Sequence, residues 1–204
     1  ATSGQNKRSF GNHSSVKTTQ KPKQQSGKQP GKQGGKHYKK FSHANKTGKS
    51  SPINRSPNLR IIPIGGCEEV GRNMTVFEFK DDIIILDMGI QFPEEDMPGI
   101  DYIVPNTRYL IGKEKNIRGV IFSHGHLDHI GAAPHLMKQL HFPPCYGTKL
   151  TMALLRKRLD EEHLTAQSHL YNATYGEKIK LGKVEVEFLR VTHSIPDSAA
   201  IAVH

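Results

Sequence analysis

Ser123-His124-Gly125-His126-Leu127-Asp128-His129 follows directly on the apolar run Gly119-Val120-Ile121-Phe122. Three histidines and an aspartate thus crowd the end of a strand-like segment. Imidazole and carboxylate are the usual ligands of a catalytic divalent ion such as zinc. In extended backbone, residues two apart point the same way, so His124 and His126 can face one ion. Asp128 and His129 come just after, where a turn can aim them at a second. The stretch reads as half of a two-metal hydrolytic site hung on a strand. The bland alternative is a solvated histidine-rich loop, but the ordinary purpose of clustering this tight is metal binding.

Working outward, Leu59–Ile64 starts as a short strand that Gly65-Gly66 breaks. Met74–Phe79 alternates like a strand, Lys80-Asp81-Asp82 turns the chain, and Ile83–Asp87 returns as a strand buried on both faces. Residues 90–105 carry Pro93, Pro98, Gly99 and Pro105 and read as a loop. After the histidine run, Ile130, Ala133, Leu136, Met137 and Leu140 fall at helical spacing, with Pro134 better suited to a first turn than to an interior. A further helix is expected to begin near Thr148 as its cap, with Leu150, Leu154 and Leu155 apolar. A hairpin around Gly182, the strand Val184–Val191 and a last strand-like stretch, Ser198–His204, close the chain. Strands, strand–helix, strand–helix, strands is the order of a mixed α/β layered domain. Gly65-Gly66 with Gly71 is not a dinucleotide-binding glycine pattern, and no helical pattern follows it.

Charge divides the chain in two. Residues 1–58 hold 13 Lys and Arg and no Asp or Glu; the remainder holds 16 basic and 19 acidic groups, so the net charge of +10 comes from the tail. Large apolar residues there are few and scattered (Phe10, Val16, Tyr38, Phe41, Ile53). They offer too little area to offset an ordering entropy of roughly 1–2 kcal/mol per residue. The tail is therefore expected to be disordered, and its simplest partner is a polyanion held by phosphate neutralisation. Lys36, Lys39 and Lys40 are the candidate RNA contacts within it; a solubilising arm without a partner is the plain alternative. No stretch is long enough to span a membrane and none resembles a secretory signal. Cys67 and Cys145 form no metal spacing or disulfide framework. Both are expected to be small buried hydrophobes, in a reducing, cytoplasmic compartment.

The histidine run after a strand, with Asp87 closing an earlier strand and His193 further on, resembles the metallo-β-lactamase superfamily. Four more segments narrow the resemblance: Gly65–Met74 (GGCEEVGRNM), Phe92–Asp101 (FPEEDMPGID), Tyr146–Leu150 (YGTKL) and Thr192–Ser198 (THSIPDS). Together they are similar to the bacterial ribonuclease J family, in the β-CASP branch, over essentially all of 59–204.

The resemblance implies an αββα sandwich, here the first part of that domain, over residues 59–204, and a zinc-dependent ribonuclease acting in RNA processing and decay. Both 5′→3′ exonuclease and endonuclease activity are implied, by two-metal phosphodiester hydrolysis. Carried over by position, His124, His126 and His193 would hold one zinc, Asp128 and His129 the other, and Asp87 would brace the site from behind. Asp128 and His126 are the catalytic candidates, Asp128 to orient the attacking water or take its proton. Met88, Leu127 and Cys67 depart from the common pattern, none at a ligand position. In the family an Asp joining both metals, a further His, the β-CASP domain and a C-terminal domain lie beyond the point where this sequence stops. The chain thus reads as an N-terminal portion expected to be inactive alone, and a homo-oligomer is expected of the full-length protein. Two rivals remain at this stage: another hydrolase of the same fold acting on small esters or thioesters, and an RNA-binding subunit without chemistry. His135, His141, His163, His169 and His204 are given no ligand role.

Overall fold

The computed structural model describes residues 58–204; the Lys-rich tail, with Lys36, Lys39 and Lys40, lies outside the described residues. Six strands pair in chain order into one sheet: β1 (Leu59–Gly65), β2 (Met74–Phe79), β3 (Asp82–Leu86), β4 (Ile117–Phe122), β5 (Cys145–Gly147) and β6 (Leu170–Asn172). The first two pairings are antiparallel and the last three parallel. β7 (Lys178–Leu181), β8 (Val184–Arg190) and β9 (Ala199–Val203) form a second, antiparallel sheet.

Side-chain parity assembles these sheets into layers. Ile83 and Ile85 of β3, and Val120 and Phe122 of β4, face a core shared with Ile130, Leu136, Met137, Met152, Leu155 and Leu159 from the helical side. Ile84 and Ile121 point the other way and pack on Val184, Val186 and Phe188 of the second sheet. Strands buried on both faces need continuous apolar runs, which is why Ile83-Ile84-Ile85 and Val120-Ile121-Phe122 do not alternate. The order is helices, six-stranded sheet, three-stranded sheet. No helix covers the outer side of the smaller sheet among the described residues, so three of the four layers of an αββα sandwich are formed.

Several local expectations are corrected. The helix expected somewhere between Asp128 and Leu140 is two single turns, α1 (Leu127–Ile130) and α2 (Ala133–Leu136). The N–H of Ala132 is donated to Met88 O at 2.8 Å instead of continuing the helix, and Pro134 has no N–H to give. Ile130, Ala133, Leu136, Met137 and Leu140 are nonetheless all buried. α3 (Lys149–Glu161) does start after Thr148, but the Thr148 side chain does not cap it. Its buried face is Thr151, Met152, Leu155 and Leu159, with Leu150 and Leu154 only half-buried. Strand β6 lies where the sequence shows no strand pattern; three residues are too few for a period to show. Cys145 is buried, and burial pushes its thiol up to about 12. Cys67 is exposed, because it sits in the irregular loop between β1 and β2 rather than in a strand.

Candidate metal centre

The site is built at the carboxyl ends of the parallel strands. β3 ends into Asp87, β4 into Ser123-His124, and β8 of the second sheet into the loop carrying His193. His124, His126 and His193 converge, with their ligand atoms all within 4.8 Å of one another. His124 Nε2 is 3.1 Å from His126 Nδ1, which is 3.2 Å from His193 Nε2. Donors about 2.0–2.1 Å from one tetrahedral ion stand about 3.3 Å apart, so this spacing fits a shared ion. Asp128 Oδ2 and His129 Nε2 face each other at 3.4 Å and make a second, separate pair.

Hydrogen bonds fix which ring nitrogens carry protons. Ser123 donates to Asp87 twice, N–H to Oδ1 and hydroxyl to Oδ2, both at 2.8 Å. With its proton so committed, Ser123 Oγ can only accept from His124 Nδ1, 2.9 Å away. The Nε2 lone pair of His124 is thereby left facing His126 and His193. His129 Nδ1 donates to Asp87 Oδ2 at 2.8 Å, which leaves its Nε2 lone pair towards Asp128. One carboxylate, Asp87, thus orients two histidines, one directly and one through Ser123, as groups behind metal ligands commonly do. Lone pairs that face one another across about 3 Å need a proton or a cation between them, and the donor set of imidazoles and a carboxylate suits a divalent ion.

Electrostatics treat the two sets differently. His124 is pulled down to about 4, first by burial, then by His129 against an opposing Asp87, and by His193 and His126. It therefore stays neutral, as a ligand must be. Burial also acts against a charged His129, but the hydrogen bond and charge of Asp87 and the charge of Asp128 outweigh it, so its pKa lies above 6.5. The surroundings of His129 favour a positive charge, which a metal ion can supply as well as a proton.

The backbone of the histidine loop is clamped. Met88 N–H donates to His129 O at 2.7 Å, Ile90 N–H to Leu127 O at 3.1 Å and Asn73 N–H to Asp128 O at 3.1 Å. Between them Gly89 passes so close that a Cβ there would stand 1.5 Å from Asp128 O. Asn73 adds its side chain, Nδ2 lying 3.1 Å from Asp128 Oδ2 and 3.3 Å from His129 Nε2. Asp87 takes a left-handed turn (φ 63°), a conformation Asp tolerates better than most residues, and this redirects the chain out of β3.

The Metallo-beta-lactamase superfamily description matches residues 68–200, about two thirds of the sequence. The chain belongs to the metallo-β-lactamase superfamily. Within the superfamily it is similar to ribonuclease J of Synechocystis, 43% identical over 147 residues that make up 72% of this chain and 23% of that protein. It is likewise similar to ribonuclease J of Thermus thermophilus (40% over 152 residues; 72% and 26%) and to ribonuclease J 1 of Streptococcus pyogenes (37% over 153; 74% and 27%). The chain spans about a quarter of the length of these curated relatives. Among solved structures, a protein of unknown function from Enterococcus faecalis shares the fold at TM-score 0.54 and 21% identity, over 72% of this chain and 40% of that one. The metallo-beta-lactamase fold protein YhfI from Bacillus subtilis does so at 0.51 and 18%, over 72% and 58%.

Against the metallo-β-lactamase fold, the expected site residues sort simply. His124, His126 and His193 come together, Asp128 and His129 form a neighbouring pair, and Asp87 lies behind both. His204 is elsewhere, against Glu187 at 3.1 Å, and His135 stacks on Tyr102. Sequence reading passed over Ser123, Asn73 and the cap role of Asp197. Asp197 Oδ2 accepts from Leu150 N–H at 2.9 Å and so caps α3 from the far loop that carries His193. Ser123 had a visible signal, a hydroxyl next to the first histidine. Asn73 and Asp197 act across separations of 55 and 47 residues, which no local pattern displays.

Proposed function

We propose that this chain carries the metal-binding side of a ribonuclease active site, hydrolysing RNA phosphodiesters with two divalent ions. The observation that supports it most is the pair of adjoining donor sets, His124/His126/His193 and Asp128/His129, in each of which Asp87 orients one histidine. The curated relatives that carry the name ribonuclease J favour RNA over small esters. In this reading the three histidines hold one zinc and the Asp128–His129 pair the other. When bound, the ions supply a nucleophilic water near neutral pH and cover the charge that builds on the phosphodiester oxygens. His126 stands between His124 and His193 and fixes the spacing of the first set. Asp128 Oδ2 is held by Asn73 Nδ2, while no hydrogen bond reaches its Oδ1 from the described residues. That oxygen orients the attacking water and accepts its proton.

Both 5′→3′ exonucleolytic and endonucleolytic cutting, in RNA processing and decay, are part of the proposal, as are a cytoplasmic setting and a homo-oligomer of the full-length protein. No helix of the described residues is long and apolar enough to cross a membrane. The Lys-rich tail, including Lys36, Lys39 and Lys40, adds RNA affinity through charge. The deciding experiment follows decay of single-stranded RNA by the full-length protein and by its His126→Ala and Asp128→Ala variants. Loss of at least a hundredfold in rate is expected in both; undiminished decay in both contradicts the proposal.

A further inference from the structure

Beside the histidine cluster lies an open cleft of about 350 Å³ lined by Tyr175, Arg190, Thr192, His193, Ile195 and Asp197. Arg190 brings to it the one guanidinium, which the site described above does not use. It is the last residue of β8, where Val184, Val186 and Phe188 are buried and Glu185, Glu187 and Leu189 are not. Period-2 alternation puts its Cβ on the face of Val184, Val186 and Phe188, while at the strand's end its side chain is exposed. Its cross-strand partner is Ala199 of β9, which is buried and whose N–H is donated to Ser123 O at 2.9 Å. Directly paired residues share a face. Arg190 thus stands at the strand's end beside the metal loop, paired with the residue that anchors Ser123, the immediate neighbour of His124.

Among the described residues the Arg190 guanidinium has no carboxylate at ion-pairing distance; it lies over the ring of Tyr175, 5.8 Å from Cζ to the centroid. Asp197, the acid of the same cleft, already serves Leu150 N–H with one oxygen, and the other faces the Tyr175 hydroxyl at 3.1 Å. Tyr175 is thereby pinned to the loop that carries His193, with its ring beside the guanidinium. A cation with free donors, in a cleft shared with a metal-site histidine, matches an anionic group adjoining the reacting one.

We propose that Arg190, propped by Tyr175, binds a backbone phosphate of the nucleic-acid strand next to the scissile one. The proposal rests on the ribonuclease reading and adds to it the residue that holds the strand on the His193 side. Arginine suits the task because its planar fork pairs with two phosphate oxygens.

The test measures binding of a 2′-O-methyl RNA oligonucleotide, which resists cleavage, to the full-length protein across a potassium chloride series. Each phosphate contact to a single strand contributes about 0.7 to the slope of log K against log salt. Arg190→Gln should make that slope shallower by about 0.7 and weaken binding several-fold at low salt, while Arg190→Lys should keep the slope. Arg190→Met, which keeps the aliphatic stem over Tyr175, serves as a second charge-removing variant, and unchanged bound zinc in each variant shows that the metal loop is intact. An unchanged slope in the Gln and Met variants, with wild-type protein that binds and cuts RNA, overturns this proposal alone. Wild-type protein that neither binds nor cuts RNA overturns the ribonuclease reading and this one with it.

Discussion

Asp87 is the residue on which the two donor sets depend, and Ser123 is its relay. Ser123→Ala removes both the hydroxyl bond to Asp87 and the acceptor for His124 Nδ1. The ring of His124 is then free to turn or to change tautomer. Removing a group of this kind weakens metal binding by about 10–100-fold, and zinc competition against a chromophoric chelator should find a loss in that range. An affinity equal to wild type would mean that packing alone orients His124. Gly89 makes a sharper demand. A methyl group there meets the main chain of Asp128, not a side chain that can swing away. Gly89→Ala is therefore expected to displace the histidine loop, seen as loss of bound zinc together with a lowered melting temperature. Asn73 was invisible as a site residue because its work is done on a loop 55 residues later, whereas the histidines declared themselves by density alone.

Among elements, the loop from β8 to β9 joins stability to the site. Asp197 caps α3 and fixes Tyr175 while its neighbours carry His193. Substituting an N-terminal capping carboxylate by Ala costs roughly 0.5–2 kcal/mol, so urea unfolding of Asp197→Ala should show a loss of that order. An unaltered midpoint would show that Leu150 N–H finds another acceptor. The hairpin turn at Gly182 combines a left-handed φ of 68° with a Cβ position 2.5 Å from the Asp82 carboxylate. Asp82 in turn accepts from Lys183 N–H and from Arg118, so this turn joins the second sheet to the end of the first. The sequence displayed β3 and β4 well, because strands buried on both faces are written as unbroken apolar runs, whereas the three-residue β6 showed no period. It displayed the helices less well. The apolar spacing of 130–140 is helical, yet Met88 O claims the N–H of Ala132 and splits the segment. A tertiary hydrogen bond of that sort has no local signature.

For the whole molecule, two buried carboxylates outside the metal centre contribute to acid sensitivity. Glu78 is ringed by Arg60, Tyr109 and Lys113, and Asp82 by Arg118 and Lys183 N–H. Burial is the largest single influence on each and raises its pKa, but the hydrogen bonds and positive charges together outweigh it. Both groups end below their ordinary values of 4.5 and 3.8. A depressed carboxyl stabilises the fold fully above its unfolded pKa and ceases to do so as pH falls through its folded one. Stability should therefore hold down to about pH 4.5 and decline below it. Glu78→Gln should start less stable at neutral pH and decline less on acidification; parallel declines would assign the acid sensitivity elsewhere. The layered fold and the histidine run were both legible in the sequence. The division of the ligands into two sets was legible only as an expectation, since His193 reaches the cluster from the other sheet.

The central claim is that those two sets hold two ions. It is tested most directly by metal content per chain of the full-length protein after exhaustive dialysis against buffer with micromolar zinc. About two zinc ions are expected for wild type, with His193→Ala and His129→Ala each retaining about one. Wild-type protein with no bound metal, or a His129→Ala variant that keeps the wild-type content, would contradict the account.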